Sequence, residues 1–254
     1  VAAFHGYNFL LARENITDHL PIDQKKEKIR QKLLKIRAKK VITATGSIER
    51  PMIFDNNDRP GIFLSSAIKK YSDFFGVACG EKNILFTNND GAYETAISLI
   101  QKGINIEAII DNRDEIDSKL TYEVEKNNIK IYKGYTIINT SGYKRINKVT
   151  IMQLSKDGQK VIGSKINLSC DCLGVSGGWT PAVHLFTQSG GKLKFRDEDQ
   201  VFIPYSYPSE QLSVGACNGD FTLDEILTNT PKSLKEFLKI KNTEYDNLDV
   251  LSAT

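Results

Sequence analysis

The segment from Lys82 to Asp111 constrains the fold of this chain more than any other part of its sequence. Ile84–Phe86 is a short apolar run followed by a polar turn, and Ile106–Ile110 is a second short apolar run. Ala92–Lys102, which a glycine follows, is predicted to be the helix between them. Strand, helix and strand in this order form a βαβ unit with parallel strands, so the chain is predicted to belong to the α/β class.

Further elements flank this unit on both sides. Upstream, Val41–Gly46 is a short β-branched run stopped by glycine, which is typical of a buried parallel strand, and Ser65–Phe75 is predicted to be a helix. Downstream, three runs alternate like antiparallel strands and are separated by turn residues: Tyr135–Asn139, Val149–Leu154 and Val161–Leu168. The pattern predicts a mostly parallel sheet that carries an antiparallel flap.

A basic segment precedes these elements. Gln24–Lys39 is rich in lysine and arginine, and its apolar residues Ile29, Leu33 and Ile36 follow an approximate 3–4 spacing. This spacing predicts a surface helix that buries one stripe. The basic residues are interpreted as the solvated face of that helix.

The composition excludes several classes of function. Lys and Arg total 34 against 31 Asp and Glu, and a net charge of +3 is too balanced to indicate a nucleic-acid partner. No apolar stretch approaches the ~20 residues of a membrane helix, and no signal peptide is visible, so no membrane partner is expected.

The four cysteines indicate neither a disulfide scaffold nor a metal centre. They include no C-x-x-C, and none of the three histidines joins a cysteine at zinc-finger spacing. A reducing compartment, the cytoplasm, and no metal are therefore expected. No nucleophile and base pair can be recognised, so no residue of this chain is assigned a catalytic role.

The turn after the first strand of the βαβ unit aligns with the dinucleotide-binding pattern G-x-G-x-x-G/A. In this alignment Thr87 and Asn89 occupy the first two glycine positions and Ala92 the third, while Glu94 matches the acidic position. Asp111 ends the second strand, where a dinucleotide fold places the carboxylate that accepts a ribose hydroxyl. The context therefore agrees with the pattern although two glycines are missing.

Two interpretations of this turn remain open. Asn88, Asn89, Asp90 and Asp111 are candidate cofactor-binding residues if the turn holds a nucleotide. A side chain at the second glycine position, however, obstructs the approach of a pyrophosphate, and Asp90 at the helix N-terminus can take the place of an anion. The alternative is a retained scaffold whose pocket is altered or empty. Arg113 could contact a 2′-phosphate but is interpreted as a solvated residue.

A second candidate site lies at the end of the strand that precedes Gly46. Thr45 and Gly46 form a turn that can lie against a dinucleotide, because glycine has no side chain to obstruct it. Such a turn alone is weak evidence. It gains weight from two later glycine-rich turns, at 177–181 and 215–219.

Six motifs together give the chain a resemblance to a known family. They are Arg37–Pro51, Asn56–Gly61, Phe86–Asp90, Gly177–Pro181, Gln188–Leu193 and Gly215–Gly219. They resemble the alpha subunit of heterotetrameric sarcosine oxidase, and the likeness runs over about residues 7–227. The chain is accordingly expected to be an internal piece of a longer polypeptide.

The resemblance implies a Rossmann-like FAD/NAD(P)-binding fold with two domains, of the pyridine-nucleotide disulfide reductase type and incomplete at the N-terminus. A first dinucleotide-binding domain would comprise residues 1–76 and 171–254, including C-terminal helices. Residues 77–170 would form an inserted NAD-type domain. The turns at 45–46 and 215–219 are expected to converge on one cleft.

The resemblance also implies cofactors and a partner. NAD is the expected cofactor of this chain, with FAD as the alternative, and flavins would be held on a partner beta subunit that oxidises sarcosine. Thr45, Gly46, Gly215 and Ala216 are implied as cofactor-binding residues. Ala216 stands where reductases carry the aspartate that binds ribose or ribitol, and Asp220 follows four residues later.

Three other functions remain open at this point. The chain could be a structural or assembly domain with a degenerate nucleotide site, which the missing glycines favour. It could belong to a related amine, opine or proline dehydrogenase that shares the scaffold. An independent NAD(P)H reductase would need the intact second glycine pattern that this sequence lacks.

Overall fold

The computed structural model describes residues 2–5, 9–25, 28–116, 118–207 and 210–239. Its strands are β1 (Ala2–His5), β2 (Phe9–Asn15), β3 (Gln31–Arg37), β4 (Val41–Thr43), β5 (Ser47–Glu49), β6 (Ile62–Leu64), β7 (Asn83–Thr87), β8 (Ile106–Asp111), β9 (Lys130–Lys133), β10 (Tyr135–Ser141), β11 (Lys148–Leu154), β12 (Val161–Ser169), β13 (Cys172–Ser176), β14 (Trp179–Pro181), β15 (Lys192–Arg196), β16 (Val201–Ser206) and β17 (Gln211–Ser213). Its helices are α1 (Ser65–Phe75), α2 (Gly91–Gln101), α3 (Lys119–Lys126), α4 (His184–Gln188) and α5 (Leu223–Leu238). The chain divides into unit 1, residues 1–48 and 179–254, and unit 2, residues 49–178.

Unit 2 is built on the predicted parallel sheet, with strand order β6-β13-β7-β8-β9. Successive side chains of β7 point to opposite faces of this sheet. Ile84 and Phe86 join one buried cluster with residues of the flap, while Leu85 joins a second cluster with Ile68 of α1 and Leu99 of α2. The sheet is covered on both faces, as parallel sheets generally are.

The antiparallel flap is also confirmed. Strands β10, β11 and β12 form a three-stranded antiparallel sheet, and buried Val149 and Ile151 of β11 pack in the first cluster. Helix α1 has the predicted bounds and ends at Gly76, whose φ of +64° requires glycine or a strained residue.

Unit 1 contains two elements that position its candidate site. Strand β17 pairs in parallel with β4, with Ser213 opposite Thr43. A short 3-10 turn, Gly215–Asn218, follows β17, and α5 begins soon after it. Thr222 caps this helix: its hydroxyl accepts from the Glu225 amide at 3.2 Å, and the Glu225 carboxylate accepts from the Thr222 amide at 2.9 Å.

The predicted helix over Gln24–Lys39 is wrong. Gln31–Arg37 forms β3, which pairs antiparallel with β2 along seven residues, and Lys26 and Glu27 lie outside the described residues. The apolar residues of this segment suit a strand as well as a helix, and pairing with β2 selects the strand.

The units of the structure differ from the predicted domain bounds of 1–76, 77–170 and 171–254. Strand β6 pairs in parallel with β13, which pairs with β7, so residues 62–64 share a sheet with residues 83–87. Helix α1 packs on the same sheet through Ile68. The chain passes between the two compact units at 48–49 and 178–179.

Within the described ranges, no helix has both the length and the apolar composition needed to cross a membrane.

Candidate functional site: two strand edges

In unit 1, the turns at 45–46 and 215–219 follow neighbouring strands. Because β4 and β17 are parallel partners, both turns leave the same edge of the pair. The Val214 amide donates to the Thr43 carbonyl at 3.0 Å, and the Thr43 and Ser213 hydroxyls lie 2.8 Å apart. The structure thus brings the two glycine turns side by side. In α/β sheets, ligands bind outside the carboxyl ends of the strands.

Two glycines at this edge have a left-handed backbone; Gly46 is partly exposed and Gly215 is buried. Gly46 has φ +71°, and a Cβ placed there would meet no atom within 4 Å. Gly215 has φ +70°, and its Cβ would meet only Ile226 Cγ2, at 3.9 Å. Both positions have a left-handed backbone that favours glycine, and the partly exposed Gly46 suits the close approach of a bulky ligand.

The side chains at this edge hold the turns rather than face outward. The Thr45 hydroxyl donates to the Ala182 carbonyl at 2.7 Å. The buried Cys217 thiol lies 3.2 Å from the carbonyl oxygens of Thr43 and Val214. Ala216 has no polar group, and Oδ1 of Asp220 accepts from Asn229 Nδ2 at 2.9 Å. The edge therefore presents turn backbone and an alanine at the position where reductases carry a carboxylate for ribose or ribitol.

In unit 2, the loop after β7 is held by its own side chains. The Thr87 hydroxyl accepts from the Asn89 amide at 3.0 Å and donates to the Asn89 carbonyl at 2.8 Å. Asn89 Oδ1 accepts from the Gly91 amide at 2.9 Å, and Asn89 Nδ2 donates to the Ser176 carbonyl at 3.0 Å. The Asn88 amide points to the same carbonyl, at 3.4 Å. Amides of this kind hold phosphates in dinucleotide-binding loops, and here several are already engaged.

Asp111 is fully buried and has no free oxygen. Its Oδ1 accepts from the amide and the Nε of Arg113, at 2.9 and 3.1 Å. Its Oδ2 accepts from Arg113 Nη2 at 2.8 Å and from the Tyr93 hydroxyl at 2.9 Å. Arg113 Nη1 in turn lies 2.9 Å from Asp90 Oδ1. Arg113, interpreted from sequence as solvated, is instead the centre of a cluster of four polar side chains.

The cluster shifts the acidity of its members. Burial, followed by the charge of Asp111 and the hydrogen bond to it, raises the pKa of the Tyr93 phenol far above its ordinary value. Burial alone would lower the pKa of the Arg113 guanidinium, but its hydrogen bonds and charge pairing with Asp111 and then Asp90 raise it. Tyr93 therefore stays neutral and Arg113 stays charged.

This geometry does not fit a dinucleotide in the unit 2 loop. A ribose hydroxyl at Asp111 would have to replace one of four hydrogen bonds inside a buried cluster. Asn89 uses its side chain to close the loop, and Asp90 pairs with the nearby cation. The sequence predicts Asp111 at the strand end, but the role of Tyr93 and the pairing of Arg113 with Asp111 were not predicted. The available signal was the opposite charge of Asp90 and Arg113, each just beyond one of two neighbouring strand ends.

A separate cavity in unit 2 is too small for such a ligand. It has a volume of about 170 Å³ and is lined by apolar side chains, among them Met52, Phe54 and Val175, together with Asn57. Ligand pockets usually measure about 300–1,000 Å³.

Similarity to known sequences agrees with the motif resemblance, although no family model matches the chain. The sequence is 33% identical over 212 residues to the sarcosine oxidase subunit alpha of Corynebacterium sp. (strain U-96), covering 84% of this chain and 22% of that protein. The alpha subunit of Rhizobium meliloti (strain 1021) is 30% identical, with 78% of this chain and 18% of the relative covered. The resemblance is confirmed, and the chain spans about a fifth of the length of these relatives.

Solved structures confirm the fold class. Thioredoxin reductase from T. acidophilum superposes with a TM-score of 0.60 at 18% identity, over 82% of this chain and 67% of that chain. Thioredoxin reductase from Lactococcus lactis superposes with a TM-score of 0.63 at 14% identity, over 94% of this chain and 72% of that chain. L-proline dehydrogenase from P. horikoshii superposes with a TM-score of 0.57 at 22% identity, over 85% of this chain and 35% of that chain. The chain has the FAD/NAD(P)-binding fold of the pyridine-nucleotide disulfide reductases.

Proposed function

We propose that this chain, a relative of sarcosine oxidase alpha subunits over about a fifth of their length, is the dinucleotide-binding portion of an oxidoreductase subunit. The observation that carries the proposal is the side-by-side placement of two glycine turns at the edge of β4 and β17. NAD is the proposed ligand of this edge and FAD the alternative, since Ala216 supplies no carboxylate. The cofactor would supply redox chemistry, and this chain would bind and orient it.

The substrate and partner follow from the same relationship. We propose that the subunit supports oxidative demethylation of sarcosine, that a flavin-bearing beta subunit carries out the oxidation, and that this chain supplies no catalytic residue. The alternative is that the subunit belongs to a related amine, opine or proline dehydrogenase. The fold that the chain shares with L-proline dehydrogenase is compatible with this alternative. Reduction of the bound flavin by sarcosine but not by proline, in protein purified with its copurifying subunits, is the expected result.

A matched pair of glycine variants tests the proposed binding edge. Gly46 and Gly103 both have φ +71° and no atom within 4 Å of an added Cβ, but Gly103 lies in unit 2 after α2. Leucine costs about 1–2 kcal/mol of backbone strain at either position, so the two variants have similar stability. Gly46→Leu is expected to weaken NADH binding at least about tenfold in calorimetric titration, which is about 1.4 kcal/mol.

Gly103→Leu is expected to leave the NADH dissociation constant within about twofold of the parent, since it changes no residue of the edge. Equal effects of the two variants would reject the edge as the binding site. The assembly-domain alternative, favoured by the closed loop of unit 2, predicts that no NADH or FAD binds while the partner subunit still copurifies.

A further inference from the structure

The fold of unit 2 implies a second dinucleotide site at the N-terminus of α2, and the residues there do not fit one. Asn89 Oδ1 already accepts from the Gly91 amide, and Thr87 Oγ1 already accepts from the Asn89 amide. The loop is therefore hydrogen-bonded before any ligand arrives. Because the Asn89 and Gly91 amides already donate within the loop, they are not free to bind a phosphate. This would weaken a phosphate site but would not by itself exclude a charged ligand.

The charges around Arg113 provide the exclusion. Arg113, just after β8, contacts two carboxylates at once. Nε and Nη2 bind Asp111 as a fork, and Nη1 lies 2.9 Å from Asp90. Two carboxylates against one guanidinium leave a net negative charge, so a phosphate would be repelled.

Asp90 differs from Asp111 in what it contributes. Asp111 is buried and shares its oxygens with Tyr93 and Arg113, whereas the Asp90 side chain is 45% exposed and makes no side-chain hydrogen bond to the first turn of α2. Asp90 is therefore not needed to cap the helix or to satisfy the cluster. Its carboxylate lies 2.9 Å from Arg113 Nη1, the guanidinium nitrogen for which Asp111 gives no contact.

We propose that the unit 2 loop is a closed dinucleotide site, in which Asp90 takes the place of the ligand phosphate on Arg113 and determines that no dinucleotide binds there. Asp90 is thus a specificity-determining residue, because it prevents dinucleotide binding at the unit 2 loop. This inference does not depend on whether the edge of β4 and β17 binds NAD.

The test replaces Asp90 and uses adenosine 2′,5′-bisphosphate as the probe. Asp90→Gly frees Nη1 of Arg113, and glycine is well tolerated at an N-cap position. At low ionic strength, where charge effects are least screened, calorimetric titration of the parent protein is expected to show no binding at unit 2. The variant is expected to bind the probe with a dissociation constant at least about tenfold below the highest probe concentration at which the parent shows no binding.

Glu94→Gln is the matched control. Glu94 is the other carboxylate near the start of α2, but it pairs with Lys69 at 3.8 Å and makes no ion pair with Arg113. Its variant is expected to bind no probe. A gain in Glu94→Gln equal to that in Asp90→Gly would overturn the proposal, because a general loss of negative charge would then suffice.

Two further results would also overturn it. One is an Asp90→Gly protein with an unchanged circular dichroism spectrum and melting temperature that gains no affinity. The other is an Asn89→Ala variant that binds NADH more weakly than the parent protein does. Loss of NADH binding in Gly46→Leu alone bears on unit 1 and leaves this inference untouched, so the two proposals fail separately.

Discussion

The two units end parallel strands at edges where a dinucleotide fold holds its ligand, yet the edges are built differently. At the end of β4 and β17, Gly46 and Gly215 leave room for a side chain that the sequence does not supply, although Gly215 itself is buried. At the end of β7 and β8, Thr87, Asn89 and Asp90 fill the loop with side chains that bind one another or their neighbours. The strand geometry is shared, and the side chains decide whether the edge is open.

The comparison teaches that topology determines where a site can form and residue chemistry determines whether it does. In unit 2 the side chains of Thr87, Asn89 and Asp111 are hydrogen-bonded to neighbouring residues of the same edge, so they contribute to folding. In unit 1 the side chains of the corresponding edge contribute little to folding beyond holding the two turns. Substitutions should therefore lower stability at the unit 2 edge and lower ligand affinity at the unit 1 edge.

The largest expected effect is that of Asp111→Ala. Removing this carboxylate leaves the buried Tyr93 hydroxyl without its acceptor and Arg113 with only Asp90. Loss of one partner from a buried ion pair costs about 3–5 kcal/mol, so the free energy of unfolding should fall by about that amount. Urea unfolding followed by circular dichroism measures it.

Asp220→Ala is the control for this prediction in unit 1. Its carboxylate accepts one hydrogen bond, from Asn229, near the surface. Its loss should cost under about 1 kcal/mol. Similar costs for the two aspartates would show that the unit 2 cluster is no more structural than the unit 1 edge, and the comparison would fail.

Tyr93→Phe should have an intermediate effect, with a characteristic dependence on pH. The hydroxyl donates one hydrogen bond to Asp111, and its loss should cost about 1–2 kcal/mol at neutral pH. The folded state holds the pKa of Tyr93 well above its ordinary value of 10.0, so the unfolded state loses this proton first as pH rises. The stabilisation linked to this proton is complete below pH ~10 and declines above it.

The difference between parent and variant isolates this linkage. Above pH ~10, the unfolding free energy of the parent should fall by about 1.4 kcal/mol per pH unit more than that of Tyr93→Phe. Unfolding curves at several alkaline pH values measure both slopes. Parallel slopes would mean that Tyr93 ionises in the folded protein, so its hydroxyl would not be locked to Asp111.

The fold was predictable wherever local pattern and tertiary packing agree. The βαβ unit and the bounds of α1 follow from short apolar runs and a glycine stop, and the structure confirms them. Gln31–Arg37 was predicted as a helix because Leu33 and Ile36 lie three residues apart. Its pairing with β2 depends on residues some twenty positions away, which local spacing does not reveal.

The sequence predicts where the candidate sites lie, but not whether their polar side chains are free or already hydrogen-bonded. The ends of β4, β7 and β8 mark both edges, and Asp111 lies where the pattern placed it. That Asp111 is enclosed depends on the direction of the Tyr93 and Arg113 side chains. The direction of these two side chains is set by packing among α2, β8 and the loop. Residue spacing along the chain does not show that both side chains meet at Asp111.

The smallest expected difference between the units is that between two serines that end corresponding strands. Ser176 ends β13 and shares a hydrogen bond with Asn89 Nδ2 at 3.1 Å, while Ser213 ends β17 and pairs with Thr43. Each alanine variant should cost about 0.5–1.5 kcal/mol, because Asn89 keeps the Ser176 carbonyl and Thr43 keeps that of Leu212. Equal costs in urea unfolding would show that the strand ends are alike and that the two edges differ in their loops. A Ser176→Ala cost above that of Tyr93→Phe would instead mean that the loop depends mainly on β13, and the Asp111 cluster would not be what closes the edge.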